Sequence, residues 1–149
     1  MLDIHRVKSN ERHIWLKMRH ALWPDASREE LDAEIAEILE SGEQEVAFIA
    51  TGEDGQTLGF VEVSIKDWNY APGISTRPFG YIEGWYVVPE ARRSGVGQAL
   101  IGVAEDWARS HGCTEMGSDA ELANTASLVA HVRLGYEVAE QLVHFSKKL

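Results

Sequence analysis

A strand that runs through a glycine loop straight into a helix is the feature that most constrains this chain. Residues 87–100 read VVPEARRSGVGQAL, in which Gly95 and Gly97 follow two arginines and precede apolar residues at helical spacing. Glycines let the backbone approach a ligand closely, and the free N–H groups at a helix start attract pyrophosphate. The segment therefore predicts a βαβ unit with an anion site, although a tight strand-to-helix turn without a ligand has the same bare pattern.

The rest of the chain predicts elements that fit around this unit. In chain order they are a strand at 2–7, a helix from 9 or 10 to 23, a helix at 28–41, strands at 46–51, 58–65 and 79–88, a helix at 97–111, a strand at 113–118, a helix at 124–134 and a last strand at 138–145. The Asp54-Gly55 pair indicates a hairpin, which starts an antiparallel meander. Because no repeat, linker or low-complexity tract interrupts the pattern, residues 1–149 are expected to form one domain.

The charge and the cysteine count limit the kinds of substrate and partner that the chain can bind. The 24 acidic and 14 basic side chains leave a formal charge of -10, which repels nucleic-acid phosphate and attracts cations, although acidity also serves solubility alone. Cys113 is the only cysteine, which excludes an intrachain disulfide and a thiolate metal cluster. No apolar run approaches the roughly 20 residues of a membrane span. We therefore expect a cytoplasmic protein with a cationic substrate and with no nucleic acid, membrane or metal.

Two motifs at matching spacing resemble those of the GNAT acetyltransferases. Arg92-Arg-Ser-Gly-Val-Gly97 is similar to the family's acetyl-CoA motif, and the segment from Asn124 to Gly135-Tyr136 is similar to its second motif. The resemblance implies an α+β domain of the GNAT fold, with a mixed, mostly antiparallel central sheet, about four flanking helices and a βαβ unit for acetyl-CoA. The residues implied to bind acetyl-CoA are Val87, Val88, Arg92, Arg93, Ser94, Gly95, Val96, Gly97, Gln98, Ala99 and Asn124.

Three further segments are similar to the aminoglycoside 6′-N-acetyltransferases within that superfamily. They are Leu22-Trp23-Pro24, Ile82-Glu83-Gly84-Trp85-Tyr86-Val87 and Glu115-Met116-Gly117-Ser118-Asp119. The resemblance implies that Trp23 lines the drug site and that Glu83 and Asp119 face the aminoglycoside. Tyr70, on the aromatic loop, is a further candidate substrate contact. Acetylation of the 6′-amine and a role in antibiotic resistance are the implied functions.

The residues themselves favour a cleft with two carboxylates. Glu83 stands in an otherwise apolar strand, where a charge is costly unless it is paired or reaches a cleft. Asp119 follows a strand at its carboxyl end, where open sheets place ligand contacts, although aspartate also caps helices there. Acetyl transfer to an ammonium needs a proton acceptor, and either carboxylate can serve directly or through water. Their separate roles stay open at this point.

One position departs from the family pattern. Many relatives place a tyrosine seven residues after the motif asparagine, as the acid that protonates the leaving thiolate, whereas this chain has His131. A histidine suits proton transfer near neutral pH, but a lone histidine on a helix is equally compatible with a structural role. The candidate catalytic residues are therefore Glu83, Asp119 and His131.

Other substrates and roles fit the same sequence. An acidic cleft also suits polyamines, amino acids or protein amines, and a chain that uses only its glycine loop would be a non-catalytic acyl-CoA sensor. The apolar strand residues near the C-terminus and the aromatic loop Trp68-Asn69-Tyr70 indicate a subunit interface. We therefore expect a homodimer.

Overall fold

The computed structural model describes all 149 residues as an open five-stranded sheet with helices on both faces. The elements are β1 (Asp3–Arg6), α1 (Arg12–Leu22), α2 (Arg28–Glu40), β2 (Glu45–Thr51), β3 (Thr57–Lys66), β4 (Phe79–Val87), α3 (Val96–Ser110), β5 (Met116–Ser118) and α4 (Thr125–Arg133). Strands β1 to β4 are antiparallel neighbours, and β5 lies parallel to β4. The predicted α+β class, the mixed and mostly antiparallel sheet, the four helices and the βαβ unit β4-α3-β5 are confirmed.

Side-chain caps set where helices begin. The Ser27 hydroxyl accepts a hydrogen bond from the N–H of Glu30 at 3.1 Å, and the Glu30 carboxylate accepts one from the N–H of Ser27 at 3.0 Å. This capping box satisfies two N–H groups near the helix start that would otherwise lack partners, and it fixes the first turn of α2. None of the helices combines the length and the apolar composition that crossing a membrane requires.

Two apolar clusters cover the two faces of the sheet. Alternate residues along a strand point to opposite faces, so Val61 and Val63 join one cluster while Phe60 joins the other. The first cluster contains Leu100, Ile101, Ala104 and Trp107 of α3. The second contains Trp15, Met18, Ile35 and Ile38 of α1 and α2. The sheet therefore lies between α3 and the N-terminal helix pair.

Strands β4 and β5 separate soon after they meet. β5 pairs with residues 80–82 of β4 only, so residues 83–87 have no strand partner on that side. On the other side, Gly84 pairs with Glu62 and Ile82 pairs with Val63, which makes Glu83 the extra residue of a β-bulge. Bulges redirect side chains and are frequent beside active sites. The bulge thus lies at the start of the opening between β4 and β5.

The predicted last strand at 138–145 is wrong for the single chain. Residues 137–149 form no regular secondary structure. The apolar side chains of this tail that lie exposed are Val138, Leu142, Val143, Phe145 and Leu149. A strand needs a neighbour that supplies backbone hydrogen bonds, and no strand of this chain pairs with the tail. An apolar sequence alone is therefore not enough to make this segment a strand.

β5 is also shorter than the predicted strand at 113–118. Cys113 still belongs to the turn that ends α3, because its N–H donates to the carbonyl of Ala108 at 3.1 Å. Its side chain is buried in the cluster that contains α3. Pairing with β4 begins only at Met116.

Candidate active site

Tyr81 bonds one of the two carboxylates singled out in the sequence and lies near the other. Tyr81 on β4 donates a hydrogen bond from its hydroxyl to Oδ2 of Asp119, which follows β5. Burial is the main cause of a raised pKa for Tyr81, and the hydrogen bond to Asp119 and the negative charges of Asp119 and Glu83 raise that pKa further. Asp119 is therefore in direct contact with the phenol, and Glu83 is close enough for its charge to act on it. The part of the molecule around Tyr81, Glu83 and Asp119 is called the cleft below.

Glu83 is paired with a lysine and bordered by an aromatic wall. Its Oε2 lies 3.0 Å from Nζ of Lys66, the last residue of β3. The same Nζ lies 5.1 Å from the centre of the Trp68 ring, and Trp68 packs on Tyr81 with ring centres 5.4 Å apart. The cleft thus contains two anions, one cation and an indole. No three His, Cys, Asp or Glu side chains of the chain converge in a way that could hold a metal ion.

Trp23, at the end of α1, packs against the backbone of β4. A Cβ on Gly84 would lie only 2.7 Å from Cη2 of this indole, so glycine is what lets the ring approach. The guanidinium carbon of Arg19 lies 4.8 Å from the centre of the Trp23 ring, which adds a cation–π contact. The indole is therefore held between a strand and a buried arginine, close to the bulge that carries Glu83.

Arg19 belongs to a buried ion cluster behind the cleft. Its Nε donates to Oε1 of Glu62 at 2.8 Å, and its Nη1 donates to Oε2 of Glu34 at 2.8 Å. Burial raises the pKa of Glu62 to about 7, and the charge of Arg19 opposes that rise. Burial also disfavours the charge on Arg19, but the two carboxylates overcome it and raise its pKa. The cluster ties α1, α2 and β3 together behind Trp23.

The glycine loop has the form of an anion cradle. Arg93 and Gly95 have positive φ angles of 63° and 89°, and the N–H groups of residues 93–98 have no acceptor within the chain. Successive free N–H groups in such a loop bind anions, and the dipole of the following helix adds to the attraction. The donors end at Gln98, because the N–H of Ala99 is bonded to the carbonyl of Gly95 at 3.0 Å.

The helix start packs closely on the open part of β4. A Cβ on Gly97 would lie 3.0 Å from Cζ2 of Trp85, and Val96 beside it is buried. A larger residue at Gly97 would therefore push α3 away from the strand. Ser94, one turn earlier, directs its hydroxyl to the carbonyl of Ala91 and so closes the loop.

The residues at the end of β4 use part of their polar groups within the chain. The N–H of Val88 donates to the carbonyl of Leu58 at 2.9 Å. Both arginines are exposed. Nε of Arg92 donates to the carbonyl of Val87 at 2.9 Å and so turns back onto the strand, whereas the Arg93 side chain has no hydrogen bond within the chain.

His131 lies where β4 and β5 part. Its Nδ1 is 2.7 Å from the carbonyl oxygen of Ser127, and its Nε2 is 2.8 Å from the hydroxyl of Ser118, the last residue of β5. A carbonyl only accepts, so Nδ1 carries a proton, and in the neutral ring Nε2 accepts from Ser118. The ring packs edge-on against Trp85 at 5.3 Å between centres. Nε2 is thus directed towards the strand that borders the opening.

Two predicted contact residues have other partners in the chain. Oδ1 of Asn124 accepts a hydrogen bond from the N–H of Ser127 at 3.1 Å and caps α4, which leaves its amide N–H groups free. Tyr70 is 71% exposed, and its hydroxyl is 3.4 Å from Oε1 of Glu140 in the tail. Tyr70 therefore contacts the tail, and no hydrogen bond joins it to either carboxylate of the cleft.

Sequence reasoning missed two residues of the cleft. Tyr81 had a signal, since residues two apart on a strand share a face and Tyr81 precedes Glu83 by two. Lys66 had none, because its pairing with Glu83 depends on the register of β3 against β4 and on the bulge.

Comparisons with known proteins cover the whole of this site. Residues 13–136 match the acetyltransferase (GNAT) family. A curated relative, aminoglycoside N(6′)-acetyltransferase type 1 of Klebsiella aerogenes, is 43% identical over 148 residues, which is 98% of this chain and 96% of the relative.

Two solved structures are similar in fold over the full chain. The aminoglycoside antibiotic 6′-N-acetyltransferase AAC(6′)-Ih from Acinetobacter baumannii has a TM-score of 0.89 at 32% identity, covering 100% of this chain and 99% of that one. AAC(6′)-Iy, solved in complex with the bisubstrate analog CoA-S-monomethyl-acetylneamine, has a TM-score of 0.90 at 32% identity with the same coverage.

Proposed function

Because this chain belongs to the GNAT family of acetyltransferases, we propose that it transfers the acetyl group of acetyl-CoA to the 6′-amine of aminoglycoside antibiotics and so confers resistance. The observation that supports the choice of substrate is the pair of carboxylates beside the opening of the sheet: Asp119, which is bonded to Tyr81, and Glu83, whose charge acts on the same tyrosine. The relatives' names and the bisubstrate complex support the same substrate. Residues 1–149 act as one domain around one sheet, in the cytoplasm where acetyl-CoA is made.

The residues of the glycine loop fit the phosphates of acetyl-CoA. The N–H groups of residues 93–98 supply the donors, and Arg93 supplies an exposed positive charge. The edge of β4 at residues 83–87, which includes Val87, faces no strand on the β5 side and supplies backbone groups for the amide-containing arm. The Asn124 amide adds a donor, whereas the N–H and the carbonyl of Val88 are both bonded within the chain. The cosubstrate supplies a thioester-activated acetyl group, and no nucleophile of the chain is needed.

The carboxylates bind the substrate and take up its proton. An alkyl ammonium is protonated at neutral pH and attacks only after it loses a proton. Glu83 and Asp119 attract the ammonium groups of the substrate, and one of them accepts the proton directly or through water. Tyr81 fixes the orientation of Asp119 by its hydrogen bond, and Trp23 offers a flat apolar wall to the sugar rings.

His131 completes the proton transfers. It stands between Ser118 and Ser127 with Nε2 towards the end of β5, beside the opening between the strands. From Nε2 a protonated His131 delivers a proton to the departing thiolate, the step that the tyrosine performs in many relatives.

Release of free CoA thiol tests the proposed function. Acetyl-CoA is offered with kanamycin or tobramycin, with spermidine and with a lysine-rich peptide, to the wild type and to the Glu83→Gln and Asp119→Asn variants. Asp106→Asn is the matched control, because Asp106 is an exposed carboxylate on α3 paired only with Arg109. The proposal requires release with the aminoglycosides, and its loss in the first two variants alone.

The other outcomes separate the alternatives. Release with spermidine or the peptide only would mean that the chain is an acetyltransferase that acts on a different amine. Bound acetyl-CoA without release from any amine would indicate a sensor and contradict the proposal.

The exposed tail supports a homodimer as part of the same proposal. Five large apolar side chains of residues 137–149 are exposed to solvent, and the outer edge of β5 has no strand partner. An unpaired edge and an apolar extended segment are the two halves of a strand pairing between chains. A second copy of the chain brings both together.

Light scattering at working concentration tests the dimer. The wild type is expected at twice the chain mass, and a Leu142→Asp, Phe145→Asp double variant is expected as a monomer, because charges replace two exposed apolar tail residues. A wild type that stays monomeric at every concentration would count against the dimer and leave the acetyltransferase proposal untouched.

A further inference from the structure

Lys66 sets an ammonium of the protein itself against one of the two cleft carboxylates. Its Nζ lies 3.0 Å from Oε2 of Glu83, and no other basic side chain forms an ion pair with Glu83. The two side chains are 23% and 26% exposed, so the pair is only partly screened by solvent. Trp68 supports the ammonium through a cation–π contact at 5.1 Å.

The surroundings of the pair are otherwise acidic. Burial and the charge of Glu83 raise the pKa of Glu45 on β2, whereas the charge of Lys66 lowers it. On β4, the phenol of Tyr81 lies within reach of the charge of Glu83 and is bonded to Asp119. Lys66 is therefore the one cation that pairs with Glu83, and the charge of Arg19 also acts on Glu45.

We propose that Lys66 is a specificity-determining residue, whose ammonium occupies the Glu83 carboxylate until an ammonium of the substrate displaces it. The inference rests on the proposed function, in which Glu83 receives a substrate ammonium. A tethered group has a high effective concentration at its partner, so every ligand whose ammonium takes Glu83 bears the cost of displacing Lys66. A ligand of the same shape without an ammonium does not bear this cost.

Lys66 therefore sets how strongly the site favours an amine over an uncharged ligand of the same shape. A purely structural ion pair would act differently, because its removal would lower stability without changing the relative affinity for the charged and the uncharged ligand. The ratio of the two affinities is the quantity that separates these roles.

Calorimetry in the presence of CoA measures this ratio. The ligands are methyl 6-amino-6-deoxyglucoside, which has one amine, and methyl glucoside, which has none. Lys66→Met is expected to bind the monoamine roughly fivefold more tightly and to bind methyl glucoside as the wild type does. Lys66→Arg keeps the charge and is expected to behave as the wild type, as is Lys8→Met, which removes an exposed lysine far from the cleft.

A second variant shows whether the effect passes through Glu83. In a Glu83→Gln background the carboxylate is absent, so Lys66→Met is expected to give no further gain for the monoamine. An unchanged ratio, weaker binding of both ligands, or a gain that persists without Glu83 would overturn the inference. Calorimetry reads binding without turnover, so a failure to acetylate tobramycin would count against the proposed function alone.

Discussion

The hydroxyl of Tyr81 on β4 is bonded to the carboxylate of Asp119 beyond β5, so that one hydrogen bond spans the two strands just before they part. Without this bond the carboxylate is free to turn into solvent. We predict that Tyr81→Phe lowers kcat/KM for tobramycin roughly tenfold, which is the effect of losing one hydrogen bond to a charged group.

Tyr136 offers a matched control for this variant. Its hydroxyl donates to Oε2 of Glu105 at 2.8 Å, another tyrosine–carboxylate pair. Its ring packs edge-on against His131 with centres 5.6 Å apart, a contact that phenylalanine keeps. Tyr136→Phe should cost stability but leave kcat/KM within about twofold. Equal losses of activity in the two variants would show that the Tyr81 effect is not specific to Asp119.

Alanine variants of Gly84 and Gly102 together test the position of Trp23. A Cβ on Gly84 would meet Cη2 of Trp23 at 2.7 Å and Oε2 of Glu62 at 3.2 Å, whereas one on Gly102 meets nothing within 4 Å. Gly84→Ala is expected to lower the free energy of unfolding by about 1–3 kcal/mol and to raise KM for tobramycin. Gly102→Ala, within α3, should raise stability by about 0.5–1 kcal/mol.

Urea unfolding measures the stability of the two glycine variants, and initial rates give their KM for tobramycin. A Gly84→Ala variant with unchanged stability and unchanged KM would mean that the indole is not held against β4.

His131 is expected to act on kcat. His131→Gln keeps a polar side chain between Ser118 and Ser127 but cannot transfer a proton, so kcat should fall roughly a hundredfold with little change in KM. His13→Gln, at an exposed position of α1, is the control. A kcat within twofold of the wild type would show that His131 has a structural role and does not transfer a proton.

The buried Glu62 makes stability depend on pH. Burial raises its pKa from 4.5 to about 7 in the folded state, so between these values the folded protein keeps a proton that the unfolded chain has released. Stability from this group is therefore present at lower pH and is lost as pH rises through that window, by about 3 kcal/mol for the full shift.

Comparison with Glu62→Gln isolates the contribution of Glu62. The variant has no proton to lose at this position and resembles the protonated carboxyl, so the free energy of unfolding of the wild type should fall relative to that of the variant from about pH 5 to about pH 8. Urea unfolding across this range gives the difference. A difference that stays constant would show that Arg19, bonded to Glu62 at 2.8 Å, keeps the carboxylate ionised throughout.

Sequence patterns predicted the parts of the fold that depend on local chemistry. The capping box at Ser27, the Asp54-Gly55 turn and the glycine loop each act within a few residues, and the corresponding helices and strands are present. The tail failed as a strand because a strand depends on a distant partner. The apolar residues of the tail indicate that it packs against another surface, but they do not indicate which surface that is.

The residues of the cleft also fall into those that the local sequence predicts and those that it does not. Glu83 was identifiable as a charge in an apolar strand, and Asp119 as a carboxylate at a strand end. The ion pair with Lys66, the hydrogen bond from Tyr81 and the approach of Trp23 to Gly84 depend on strand register, on the bulge and on helix packing. None of these is visible before the strands are paired.

The most direct test of the account compares neomycin with paromomycin as substrates. The two aminoglycosides differ in having an amine or a hydroxyl at position 6′, so every other amine is shared. With acetyl-CoA and the wild-type protein, release of free CoA thiol is predicted with neomycin and not with paromomycin. Equal release with both, or none with neomycin, would contradict acetylation of the 6′-amine.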